Sequence, residues 1–354
     1  MKSLSLLLEG YQKGAARKTV APFFLLLNIT YKLYNINMKL DNIFKKKKNI
    51  LIGAIHLPPL LGYKDFPGFD VALKNALTDL KALEKGGVDG IIFENNYDIP
   101  HKEIVDSSIV NSMTFIGEKI KKATKLPMGV SVLWNDYRTA LSIAKTLNLQ
   151  FIRIPVFVDK VKTDYGVIDG NSKDVLEFRK FIGAENVALF TDIHVKHAEL
   201  LSKNKLLSSA KMARKNGSDA VILTGKWTGD APDLSDAILL QKNLKNFPII
   251  LGSGVNKNNS RELLKFANGA IVSTSLKRGS SKLGEVNVKS YDQRIDYRKV
   301  KYLVKSLSGF CRLSTTRAPI KFQEHYVKDI LTPSNLTKGT GYFGPATMKK
   351  VNGM

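Results

Sequence analysis

Six consecutive residues, Asp192-Ile193-His194-Val195-Lys196-His197, put a carboxylate, two imidazoles and an amine at the end of an apolar segment, Val187-Ala188-Leu189-Phe190. Desolvating that many polar groups beside a buried strand is costly, so such crowding usually serves a site. Several chemistries are open to it. Asp192 and His194, with His56 and Glu94, could hold a divalent metal ion if their strand ends converge. Glu94 or Asp192 could act as a general base, with His194 as a general acid, on a sugar-like substrate. Lys196 could be a Schiff-base amine activated by neighbouring cations. The structural alternative is that these groups only pair with one another and with Arg153. Alternation places 192, 194 and 196 on one face if the strand persists, with His197 on the other. Asp136 is a further acid/base candidate, or simply the N-cap of the helix that follows it.

The elements that must position these groups are regular. From residue 49 onward, short apolar segments at 50–55, 90–93, 128–133, 151–156, 187–191, 219–223, 248–252 and 269–273 alternate with amphipathic ones at 70–85, 109–124, 136–147, 171–182, 202–216, 233–244 and 258–266. Continuous apolar strands separated by single helices predict a parallel sheet buried on both faces. Eight such units predict a (β/α)8 TIM barrel, closed by a helix over 292–308 and stopped at Gly309. In this fold chemistry sits at the C-terminal strand ends. There, Gly252-Ser253-Gly254 after the seventh strand and Thr274-Ser275 after the eighth predict a phosphate cradle, because glycine lets backbone N–H groups approach an anion. Asn135, Arg153, Thr224 and Gly225 stand at other strand ends as further ligand contacts. Trp227, in a glycine-flanked loop, reads as a lid or stacking residue. His101 reads as a surface loop residue, and His325 lies outside the barrel.

Composition limits the alternatives. The 354 residues are 44% hydrophobic, ample for a full core, and contain one cysteine, Cys311, which rules out an intrachain disulfide. The formal charge of +24 divides into +8 on residues 1–48, +5 on 310–354 and +11 on the barrel region. The excess is scattered lysine, without the clustered arginine and interleaved aromatics of a nucleic-acid surface, so anionic metabolites are expected and no specific nucleic acid. The apolar run Ala21–Leu27 is interrupted by Asn28, Thr30 and Lys32, so neither a signal peptide nor an integral membrane span is expected. Residues 1–48 read as a disordered or over-extended start, with Met38 as an alternative beginning.

The strand-end motifs also spell out a family. Gly53-Ala54-Ile55-His56-Leu57-Pro58-Pro59, Glu94-Asn95, Asp98-Ile99-Pro100, Val132-Leu133-Trp134-Asn135-Asp136, Phe151-Ile152-Arg153 and Thr163-Asp164 occur in order. Asp192 through Ala198, Asp219 through Gly225, Gly252-Ser253-Gly254-Val255 and Ile271 through Lys277 complete the set. Together they resemble the BtpA/SgcQ family, a branch of the ribulose-phosphate-binding barrels, over roughly 49–307. The resemblance implies a barrel and a phosphorylated ligand, and it is silent on the chemical step. Family members are associated with photosystem biogenesis or with sugar and nucleotide metabolism. Departures from the family pattern are Trp134 for a usual Arg, Pro155 for Asn, Asn96 and His101 for Phe, and Ser273 for Gly. Lys226 or Arg278 could replace the missing cation.

The tail over 310–354, with Phe322-Gln323-Glu324 and Gly339-Thr340-Gly341-Tyr342-Phe343-Gly344-Pro345, resembles the C-terminal half of a peptidoglycan-binding repeat, too short to hold its own core. The expected reading is a cytoplasmic enzyme acting on a phosphorylated sugar or nucleotide-like metabolite, with a divalent ion as an open cofactor question. A non-catalytic assembly factor is the alternative, as is an envelope protein tethered by residues 1–37 that binds peptidoglycan through 320–352. Related barrels often form homo-oligomers, but no interface is legible here.

Overall fold

The computed structural model describes residues 40–279, 287 and 289–308. The expectations for 1–39, the tail resemblance, Cys311 and His325 lie outside these residues. Those through Ser306 belong to one compact unit, and Leu307 begins a second.

Eight parallel strands close a barrel: β1 (Ile50–His56), β2 (Gly90–Glu94), β3 (Met128–Ser131), β4 (Phe151–Ile154), β7 (Ala188–Ile193), β9 (Ala220–Leu223), β10 (Ile249–Leu251) and β11 (Gly269–Val272). Closure comes from β1 pairing with β11, Ile50 opposite Gly269 through Gly53 opposite Val272. The intervening helices are α1 (Phe69–Gly86), α2 (Ser107–Ala123), α3 (Tyr137–Thr146), α4 (Ser172–Phe181), α5 (Leu206–Lys215), α6 (Leu234–Leu244) and α7 (Ser260–Leu263), and α8 (Tyr297–Ser308) follows the last strand. The TIM barrel predicted from the alternation is the fold observed. The strand expected over 187–191 runs two residues further, to Ile193, and the helix expected over 258–266 shrinks to one turn.

Alternation along each strand sets what fills the barrel. Ile50, Ile52 and Ala54 of β1, Ile92 of β2, Phe151 of β4, Phe190 of β7, Ile222 of β9, Ile250 of β10 and Ile271 of β11 share one core cluster. Phe151 and Phe190 stack with ring centroids 4.7 Å apart. A Cβ at Gly129 would meet the Phe151 ring at 2.3 Å, so only glycine leaves room for that stack. A helical turn over residues 40–44 brings Phe44 to within 5.7 Å of Phe151 and closes the N-terminal end.

One element was not foreseen. β5 (Lys160–Thr163) and β6 (Gly166–Asp169) form an antiparallel hairpin, extended by β8 (Glu199–Leu200) on the β5 edge. Val161 and Ile168 pack with Trp134, Val156 and Val195 in a second apolar cluster beside the barrel mouth. The Asp159 carboxylate holds the hairpin's base, accepting from Ser202, Asn204 and Ser209 at 3.1, 3.2 and 2.7 Å.

Candidate functional site

The inward periodicity continues one step beyond the apolar layers, and that step is polar. His56 follows Ala54, Glu94 follows Ile92, Arg153 follows Phe151, Asp192 follows Phe190 and Ser273 follows Ile271, each two residues on and so on the same face. β1–β2 register sets His56 beside Glu94. Of these, His56, Glu94 and Arg153 form the floor of a cavity of about 460 Å³ at the C-terminal end of the strands, and Ser273 lies in its wall.

Arg153 organises the floor. Its Nε and Nη2 donate to the two oxygens of Asp192 at 2.9 and 2.8 Å, and its Nη1 donates to Glu94 Oε1 at 3.2 Å. All three residues are buried. Burial alone would pull the guanidinium down, but the Asp192 and Glu94 carboxylates more than offset it and keep it charged. Glu94 Oε2 faces His56 Nε2 at 3.7 Å. Burial, reinforced by Lys277, Lys196 and Arg153, holds that imidazole well below its usual value, so His56 is neutral and this contact is not an ion pair.

Lys196 and Lys277 reach the same cavity. Burial and the charge of Arg153 bring Lys196 down to about 8, against the opposing pull of Glu94 and Asp192. Lys277 is 1% exposed. Burial lowers it to about 8, with Asp79 resisting and Arg294 and Lys289 assisting. Its Nζ donates to the Tyr97 hydroxyl at 3.2 Å and lies 5.3 Å from the centre of that ring. Opposite the floor, the loops after β10 and β11 bring Gly252, Ser253, Gly254, Thr274 and Ser275 into the wall. Among the described residues the backbone N–H groups of Gly254, Val255, Thr274 and Ser275 have no intrachain hydrogen bond. Ser273 Oγ is buried without a partner. Gly254 has φ 65°, and a Cβ there would meet Ala231 N at 2.1 Å, so the loop admits only glycine.

The sequence profile of the BtpA family matches residues 47–307, the whole of this barrel. The chain belongs to the BtpA family. A photosystem I biogenesis protein BtpA of Synechocystis sp. is 37% identical over 233 residues, 65% of this chain and 81% of that relative. An uncharacterized protein of Pyrococcus horikoshii is 34% identical over 260 residues, covering 73% of this chain and 96% of its own. An uncharacterized mitochondrial protein of Caenorhabditis elegans is 36% identical over 239 residues, covering 65% and 86%. Among solved structures, (S)-3-O-geranylgeranylglyceryl phosphate synthase from Thermoplasma acidophilum, in complex with sn-glycerol-1-phosphate, covers 78% of this chain and 97% of its own at 16% identity and a TM-score of 0.47.

Within this BtpA barrel several sequence expectations need correction. His194 leaves the site: it adopts φ 48°, its Nε2 lies 3.1 Å from Asn204 O, and it lines a separate hollow with Thr224, Gly225 and Lys226. His197 also has positive φ (58°), so strand alternation stops at Ile193 and the shared face predicted for 192, 194 and 196 does not form. The metal set of His56, Asp192 and His194 is therefore not assembled. Among the described residues no group of three or more His, Cys, Asp or Glu side chains is placed to hold a metal.

Asp136 caps α3, accepting from Thr139 N at 2.9 Å, Thr139 Oγ1 at 2.8 Å and Val105 N at 3.1 Å, which consumes its carboxylate. Asn135 is equally occupied, accepting from Val156 N at 2.8 Å and donating to Val156 O at 3.0 Å. Ser253 Oγ accepts from Gly225 N and donates to Asp230 O, both at 2.8 Å, tying two loops together. Ser275 Oγ donates to Val255 O at 2.8 Å.

Neither Lys226 nor Arg278 replaces the cation missing at Trp134. Lys226 lies 5.8 Å over the Trp227 ring, and Arg278 is exposed beside Asp296. The cations that do line the cavity, besides Arg153 and Lys196, are Lys277, Lys289 and Lys299. His101, expected at the surface, is buried against Tyr165 with ring centroids 5.3 Å apart and lines the cavity. Trp227 is half exposed and packs against His197 at 5.4 Å.

Proposed function

We propose that this chain is an enzyme acting on a phosphorylated sugar or nucleotide-like metabolite. The phosphate lies against the loops after β10 and β11, and Glu94 moves the proton. One observation carries the reading: a cavity wall of unbonded N–H groups, the unpartnered Ser273 hydroxyl and the buried Lys277 ammonium faces the Arg153–Glu94–Asp192 cluster. Buried cations and donors without partners are costly, and an anion that accepts from them removes the cost. The acid/base role falls to Glu94 because Arg153 holds one of its oxygens while the other lies beside the neutral His56, with both residues lining the cavity. Asp192 has both oxygens on Arg153, so its part is to keep that guanidinium charged and fixed.

The test is thermal unfolding of the full chain with sugar phosphates, nucleotides and inorganic phosphate, each with and without Mg2+. A ligand at 100 times its dissociation constant adds about 2.7 kcal/mol of stability. A raised midpoint that is lost in Lys277→Ala, in a variant that still melts cooperatively, supports the assignment. No shift with any of them for folded wild-type chain overturns it. A second reading is an assembly factor whose pocket serves regulation, favoured by the name of the 37% identical Synechocystis relative. It expects capture of a protein partner that survives Glu94→Gln.

A further inference from the structure

We propose that Lys196 is a carbonyl-reactive amine, and that the metabolite held in this cavity is an open-chain aldehyde or ketone captured as an imine. The proposal rests on the phosphate reading for the second half of the ligand and extends it to the reacting half.

Placement comes first. Lys196 sits on a segment pinned on every side: Val195 packs into the apolar cluster of Trp134, Val156, Val161 and Ile168. His194 Nε2 contacts Asn204 O at 3.1 Å and His197 Nε2 contacts Thr228 Oγ1 at 2.7 Å. The two left-handed histidines thus act as pegs, and the lysine between them lines the barrel mouth together with Val195 and His197. Its amine has neither a hydrogen-bond nor an ion-pair partner among the described residues, whereas Glu94 and Asp192 are both engaged by Arg153. The other amines of the cavity are by contrast committed, Lys277 to the Tyr97 hydroxyl, Lys289 to Gly279 O and Lys299 to Lys277 O. An unpaired amine beside a fixed guanidinium gains little from being protonated. Its value of about 8 leaves a useful neutral fraction near physiological pH.

The chemistry balances with groups already present. The neutral amine adds to the carbonyl carbon, the C=O π pair moves to oxygen, and proton transfer gives a carbinolamine. The C–O bond then breaks as the nitrogen lone pair forms C=N, and one water leaves. Glu94, close enough for its charge to act on Lys196, carries two protons in turn from nitrogen to oxygen, the first making the carbinolamine hydroxyl and the second releasing it as water. The neutral His56 beside it adds no positive charge to oppose the iminium.

The experiment treats the full chain with dihydroxyacetone phosphate, or with dihydroxyacetone lacking the phosphate, in the presence of sodium borohydride, and maps the reduced adduct by peptide mass. The expected result is one adduct per chain, on Lys196. It should be absent in Lys196→Arg and form at a rate that rises as pH passes through about 8. Inorganic phosphate should slow trapping of the phosphorylated probe and leave that of dihydroxyacetone unaffected. An adduct on Lys196 from both probes without competition by phosphate keeps the imine and discards the phosphate site. No adduct from either probe, on chain whose melting phosphate still raises, discards the imine alone. Adducts spread over surface lysines, or centred on Lys277, overturn the assignment.

Discussion

Arg153 is the residue on which the site depends, because two buried carboxylates share its charge. Removing one partner of such a cluster leaves uncompensated charge in a dry site, which costs about 3–5 kcal/mol. Arg153→Met is expected to lose stability on that scale in urea unfolding. Replacing Arg153, Glu94 and Asp192 together with apolar residues should cost less than the single change, which would be impossible if the guanidinium acted only through packing. His101 supplies a pH signature. Burial lowers it to about 4, below the ordinary 6.5, so between those values the unfolded chain binds a proton that the folded chain does not. Stability from this group is complete above about 6.5 and is lost as pH falls toward 4, with a slope of up to about 1.4 kcal/mol per pH unit. His101→Phe, which also removes the unpartnered Nδ1, should flatten the stability–pH curve in that window relative to wild type.

Glu94, Asp192 and Arg153 were legible in the sequence because each follows an apolar run by one inward step, so pattern and position agree. Lys277 and His101 were not. In a lysine-rich chain one more lysine has no contrast, and its burial depends on β11 closing against β1. His194 misled because two positive φ angles, invisible in composition, end the alternation.

Among the elements, the eight barrel strands were readable to within a residue or two, since continuous apolar segments buried on both faces have little else to do. The β5–β6 hairpin was not, because its strands are four residues long, bury only Val161, Thr163 and Ile168, and carry lysine and aspartate outward. It also brings Tyr165 to the cavity wall. The start of α3 makes a direct test. Asp136→Ala removes the cap to Thr139 and orphans Val105 N–H, and should destabilise by at least about 1–2 kcal/mol in urea unfolding. Asp136→Asn should recover part of that loss, and neither change should alter the chemical step, since the carboxylate faces a helix and not the cavity.

At the scale of the molecule, charge and shape act together. Among the described residues the cavity wall carries five cationic side chains against Glu94, Asp164 and Asp230. The fold thus brings Lys196, Lys277, Lys289 and Lys299, far apart in sequence from Arg153, to one end of the barrel. Fields from such a mouth draw anions toward it and weaken with added salt. The opposite end is closed by Phe44 against Phe151 and Phe190, with apolar layers stacked above them. A barrel filled in this way has no corridor along its axis. Whatever arrives through the cationic mouth departs through it, and a reactant lying deeper leaves only after the one above it. Were the reaction to join or exchange two molecules, their order of arrival would dictate the reverse order of departure, a kinetic rule written by three phenylalanines remote from the chemistry.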